Sequence, residues 1–398
     1  MSHALCAIAV AAVAFLPIVA SAVEYYADSK IGNDANDGRS VGTAFKTLGR
    51  ATRSLKAGDT LNLAAGSVFL ESLVLKASGT AESPILIRGN GAVVSGLHPI
   101  DGSKWERKDG DLWFQENNRC WGALRPRVFI GDEMISLSVK PQALKPRTAV
   151  WRKEGVYFRA ESGKSPRDYA LLGGIGRSKE EHSGVIIDGQ SYITVENLVA
   201  QHFPNDGFNV HGTCRGLVFR NIVARNNGDD GFSIHDDVCA VVVGLHSHHN
   251  DFGIQDVGFS QTIVSGAVLE QNRLCGFDEH CGIRILRDSV IRANGGRQIG
   301  LHSPRSRGKS VPSPMGLMTA YLENVRVEGG EGDALFVEDG VTLTAKNCSI
   351  SETKVGLSLL GGHVHLEECT VSDCATPAKI SPACAFTQDG CKGLERSN

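Results

Sequence analysis

A period of about 22 residues constrains this chain more than any other feature. Four segments open alike: Gly207-Phe208-Asn209-Val210-His211, Gly231-Phe232-Ser233-Ile234-His235, Gly253-Ile254-Gln255 and Gly276-Phe277-Asp278-Glu279-His280. Their spacings are 24, 22 and 23 residues. The register extends back to Val185-Ile186-Ile187-Asp188 and forward to Gln298-Ile299-Gly300-Leu301-His302, then to Ala334-Leu335-Phe336-Val337 and Gly356-Leu357-Ser358-Leu359. Each unit carries a second apolar alternation, such as Leu217-Val218-Phe219 then Ile222-Val223, and closes on Asn, Gly or Asp. Two or three short strands with turns fit that length, whereas a pair of helices with connections needs more than about 30 residues. The expected fold is all-β, a right-handed parallel β-helix in which each strand pairs with its counterpart about 4.8 Å away on the next coil. A coil buries its inward residues only against its neighbours, so the stack is cooperative.

Leu61 to Leu63, Phe69 to Leu75 and Ile85 to Ile87 alternate in the same way and read as the first coils. Thr47 to Leu55 puts Leu48, Ala51 and Leu55 on one helical face, suited to covering the open end. Between Asp101 and Glu181 the rhythm is lost, and the stretch with Trp105, Trp113, Trp121, Trp151 and Val128-Phe129-Ile130 reads as an inserted β subdomain or large loop. The expected organisation is a signal peptide over 1–22, an N-terminal cap with first coils over 23–100, the insert over 101–181, the main β-helix over 182–380 and a tail over 381–398.

The signal peptide rests on the apolar run from Ala4 to Val19, Pro17 and the small-residue ending Ala20-Ser21-Ala22, which predict secretion or periplasmic export with cleavage near Ala22. No later segment reaches the ~20 apolar residues of a membrane span. Removing Cys6 with the signal leaves ten of the 11 cysteines, enough to pair fully in an oxidising compartment. Cys348 and Cys369, at matching places on neighbouring coils, read either as a bridge or as stacked core residues. A formal charge of −3 and the lack of a basic face argue against nucleic acid. A monomer is expected.

Alternation along the first strand of each coil turns Phe208 and Val210 inward and Asn209 and His211 outward. One outward column then holds Asn209, Ser233, Gln255 and Asp278. The next holds His211, His235, His280 and His302, with Val257 interrupting. The preceding turns supply Asp206, Asp229 and Asp230. Imidazolium ions stacked about 4.8 Å apart repel by roughly 1–3 kcal/mol, so some of these histidines stay neutral near pH 7 and accept protons. Acids and imidazoles gathered on one face over adjacent coils mark a candidate site. The stretch Pro304-Arg305-Ser306-Arg307-Gly308-Lys309 directly follows His302, where Arg305 and Arg307 would meet carboxylates of a substrate.

The chain resembles secreted polysaccharide lyases of the parallel β-helix type, of the pectate lyase L and chondroitinase B groups. The residues that carry the resemblance are Tyr25-Tyr26-Ala27-Asp28-Ser29, Gly32 to Gly38, Phe45-Lys46-Thr47-Leu48, Ala57-Gly58-Asp59-Thr60 and Ser78 to Ile85. More specific are Asp206-Gly207-Phe208 and Asn227-Gly228-Asp229-Asp230-Gly231-Phe232. The resemblance implies that Asp206, Asp229 and Asp230 bind calcium, which would offset a uronate carboxylate and acidify its C5 proton for β-elimination. It implies an acidic polysaccharide as partner. Two positions depart: Ser233 stands where the family has a fourth aspartate, and Gln255 where it has the lysine base. A glutamine amide abstracts no proton, so the expected bases are His211, His235 or His280, with Arg284 holding the substrate carboxylate and Asn209, Ser233, Gln255, Asp278 and His302 lining the site. Polygalacturonases offer a second resemblance, through Asp206, Asp229, Asp230 and Arg284-Ile285-Leu286, and imply hydrolysis. A non-catalytic glycan-binding solenoid is the third reading.

Overall fold

In a computed structural model, described here over residues 22–117, 125–176, 178, 180–303 and 318–394, short strands wind into a parallel stack. Ten strands, one per coil, form the first sheet: β1 (Leu73–Leu75), β2 (Val185–Asp188), β3 (Phe208–His211), β4 (Asp230–Ile234), β5 (Phe252–Asp256), β6 (Cys275–Glu279), β7 (Arg297–Leu301), β8 (Asp333–Val337), β9 (Val355–Leu359) and β10 (Thr376–Ile380). The register Phe208↔Phe232↔Ile254↔Phe277↔Ile299↔Leu335↔Leu357 places one apolar column inside the stack. Phe208 and Phe232 stack at 5.8 Å. A second sheet takes two strands from each coil, such as Thr213–Arg220 and Val223–Arg225, paired with Asp237–Val243 and His246–His248 on the next.

The turn between those two strands repeats a left-handed residue: Asn221, Gly244, Gly266, Asp288, Asn324 and Asn347 all have φ between 49° and 69°. Asn, Asp and Gly tolerate that conformation, so these six coils close on one of them, while Glu368 takes it on a later coil. At the corner before the first sheet, buried Asn227, Asn250, Asn272 and Asn294 form a ladder. The backbone N–H of each donates to the side-chain oxygen of the next, at 2.9, 3.1 and 2.9 Å. Phe203 N–H and Gln298 complete the two ends.

The N-terminal helix spans Leu48–Thr52, capped by the Thr47 hydroxyl, and buries Leu48 and Ala51. Leu55, also buried, lies just past it. Two antiparallel four-stranded sheets, drawn from Leu97–Pro99 through Leu171–Gly174, interrupt the solenoid. Their own core includes Val128, Trp151, Val156, Phe158 and Leu171, with Trp105 and Trp113 against it. Trp121, the signal segment through Ser21, Arg305 and Arg307 lie outside the described residues. At the other end, Ala385–Asp389 still pairs in parallel with His363–Glu367, so coil geometry runs past residue 380. Cys214, Cys239, Cys275, Cys348, Cys369, Cys374, Cys384 and Cys391 carry unbridged thiols. Cys348 and Cys369 are buried core residues on adjacent coils whose thiols are unbridged and bond backbone carbonyls, the second of the two readings of that pair. No helix among the described residues is long and apolar enough to cross a membrane.

Candidate active site

The turns that lead into β3 and β4 lie one above the other, so Asp206, Asp229 and Asp230 converge, with one oxygen from each within 4.8 Å of the others. Asp206 accepts hydrogen bonds from Asn205 Nδ2 (2.7 Å), Asn209 Nδ2 and the backbone N–H of Asp230 (3.1 Å). Burial, with Asp229 beside it, pushes Asp206 up to about 7. Burial also raises Asp229 to about 6 against the opposing charge of Arg125, and raises Asp230 well above the usual carboxylate range. Ionised together, three crowded carboxylates need either protons or a cation. Asp230 Oδ1 is buried without a hydrogen-bond partner. That orphaned oxygen and the two neighbouring carboxylates fit a hard, oxygen-seeking ion such as calcium.

Ser233 connects this cluster to the histidines. Its Oγ lies 2.6 Å from Asp230 Oδ2 and 3.2 Å from His235 Nε2. The His235 ring stacks on that of His211, centroids 4.1 Å apart. Burial lowers the pKa of His211 despite Asp236 and Asp188 nearby, so the ring is neutral near pH 7. Both rings are half-buried.

Two coils further on, the register Ser233↔Gln255↔Asp278↔Gly300 continues the outward column. Asp278 takes His280 Nε2 on one oxygen (3.0 Å) and His302 Nε2 on the other (2.9 Å), and Gln255 Nε2 at 2.9 Å. Burial opposes the charge on Asp278, but the bonds from His280 and His302 outweigh it and hold its carboxyl far below the usual range. His302 Nδ1 meets Glu338 Oε1 at 3.0 Å.

Several expectations need correction. Arg284 does not hold a substrate: it is 1% exposed, paired with Asp256 at 2.8 Å and with Glu279. It lies on the same inward side of its strand as Leu286, where Asp256 and Glu279, at the ends of β5 and β6, neutralise it. His280, expected as a base on an open face, is buried against Asp278, as is His302. Asn209, Ser233 and Asp278 face outward yet are buried, because the turn acids and the next coils cover them. Gln255 and His211 remain partly exposed.

The cations come instead from the insert, joined by Arg273 of the solenoid. Arg125 Nη1 bonds Asp229 (2.9 Å) and Asp251 (2.5 Å), Arg127 Nη2 bonds Asp251 (2.9 Å), and Arg273 adds two bonds to Asp251 (2.7 and 2.6 Å). With Arg152 they line a cavity of about 360 Å³ between insert and solenoid. Four guanidinium groups face two carboxylates there, an excess of positive charge beside the acid cluster. Nothing in the local sequence around Arg125 and Arg127 ties them to Asp251, more than a hundred residues away; docking of the insert does so.

The family described as "Right handed beta helix region" matches residues 183–308. No curated protein matches the chain. Among solved structures, pectate lyase Pel9A is similar at 11% identity and TM-score 0.52, covering 94% of this chain and 80% of that one. A XylC complex with xylose is similar at 12% and 0.55, covering 87% and 75%. A glycoside hydrolase is similar at 11% and 0.54, covering 93% and 97%. At such identities the likeness is one of fold, and it establishes this chain as an all-β, right-handed parallel β-helix.

Proposed function

We propose that the protein is a secreted carbohydrate-active enzyme that cleaves an acidic, uronate-containing polysaccharide by β-elimination on the outer face of β3 to β6. The observation that carries this reading is the Ser233 hydroxyl, which joins Asp230 of the acid cluster to the His235–His211 stack. The excess positive charge of Arg125, Arg127, Arg152 and Arg273 offers a seat for a uronate carboxylate. A neutral imidazole of the stack takes the C5 proton and, as the imidazolium, gives it to the leaving oxygen. Asp206, Asp229 and Asp230 would hold calcium, which supplies charge neutralisation for the substrate carboxylate. Export rests on the first 22 residues and their small-residue cleavage pattern. The solved structures of similar fold include a pectate lyase, which supports a glycan-cleaving reading.

A second reading, hydrolysis, is favoured by Asp206 at about 7 and Asp229 at about 6. At neutral pH such a pair supplies the protonated acid and the carboxylate that glycoside hydrolysis needs. A panel of polyuronides and glycosaminoglycans separates the readings. Elimination gives the absorbance of an unsaturated uronide, and this activity should vanish in His235→Ala while circular dichroism stays unchanged. New reducing ends without that absorbance would select hydrolysis. Neither product, from a chain that still binds the glycan, would select a binding protein.

A further inference from the structure

We propose that Asp278, His280 and His302 form a binding site for a single divalent transition ion of the zinc class, separate from the Asp206–Asp229–Asp230 cluster. One donor atom from each residue lies within 4.8 Å of the other two. The two imidazole Nε2 atoms approach opposite oxygens of one carboxylate, at 3.0 and 2.9 Å. Donors around a tetrahedral zinc ion, with bonds near 2.0–2.1 Å, stand about 3.3 Å apart, so the two N···O separations lie within a few tenths of an ångström of those of a zinc site. Two imidazoles and a carboxylate suit a borderline ion better than calcium, which prefers oxygen alone.

The surroundings are arranged as metal ligands require. Glu338 holds the far nitrogen of His302 at 3.0 Å, which fixes that ring and turns Nε2 inward, and Gln255 braces the Asp278 carboxylate at 2.9 Å. There is also room. Gly300 follows Asp278 in the same outward column on the next coil, and a methyl group at that position would come within 2.8 Å of both Asp278 Oδ1 and His302 Nε2. Gly300 has no left-handed φ that would demand glycine; what its missing side chain leaves is a cradle over two of the three donors. Three protein ligands leave a tetrahedral ion one position for water or a substrate oxygen.

The test is titration of the untagged full chain with zinc by calorimetry and with cobalt(II) by visible absorption. The expected result is one equivalent bound, with the intense d–d bands of a tetrahedral cobalt site. Asp278→Asn and His280→Gln should abolish it, and Gly300→Ala should weaken it at least about 10-fold by filling the cradle while keeping every ligand. Glu338→Gln should weaken it about 10- to 100-fold, and Asp230→Asn should leave it unchanged. Absence of stoichiometric binding by the wild type would overturn the proposal, since that measurement depends on no variant's folding. So would affinity that survives in Gly300→Ala and Asp278→Asn, or that is lost in Asp230→Asn.

Discussion

Asp206 sits in an ordinary Asp-Gly turn and acquires its chemistry from what packs around it. It titrates at about 7 in the folded chain and at its ordinary 3.8 when exposed. Between those values the folded chain holds the extra proton, so this contribution to stability is complete below the lower value and is lost as pH rises through about 7. Asp206→Asn cannot ionise, and its melting temperature should therefore fall less than that of the wild type between about pH 5 and about pH 8. Calcium should recover the wild-type loss at the higher pH and do nothing for Asp230→Ala; thermal melts with and without the ion check both. His202 and His248, each lowered to about 4 chiefly by burial, act in the opposite direction on acidification, so the difference between variants is the quantity to read. Arg284 shows the converse case of a charge that is wholly structural. Arg284→Met should destabilise by about 3–5 kcal/mol in denaturant unfolding, because Asp256 and Glu279 would be left buried without their cation.

At the scale of elements, the coils are held in register by polar ladders as much as by the apolar column. Asn250 accepts from the Asn227 N–H at 2.9 Å and donates to the Ala224 carbonyl at 3.0 Å, all of it buried. Asn250→Ala strands both groups and should cost about 1–3 kcal/mol for each, measured by urea unfolding. The insert is attached by a different device, the Asp251 carboxylate shared by Arg125, Arg127 and Arg273. Asp251→Asn should loosen that attachment, visible as faster proteolysis within residues 97–175 while the parallel sheets keep their circular dichroism.

At the scale of the whole molecule, the candidate site lies between two bodies of structure, so its preference for acidic ligands depends on the insert staying seated on the solenoid. Arg273→Gln removes one cavity cation from the solenoid side and should raise KM for uronate oligosaccharides roughly 10-fold, with kcat little changed, as expected when a uniform binding contact is lost. The sequence by itself determined the solenoid: the repeat spacing, the alternation around Phe208, Phe232 and Phe277 and the Asn, Gly or Asp turns each follow from local geometry that recurs every coil. It likewise determined the columns, since strands paired in register turn equal spacing into adjacency, and Asn209, Ser233, Gln255 and Asp278 stand in line as their spacing requires. Tertiary structure alone decided how deep each column lies and which charges meet. Outward direction is a property of one strand, whereas burial of His280 and Asp278 depends on side chains from neighbouring coils. Strand alternation turns Arg284 inward, but only the fold brings it against Asp256 and Glu279 from other strands. The arginine cavity exists because the insert folds back onto Asp251, a contact between segments far apart in sequence that no local pattern encodes.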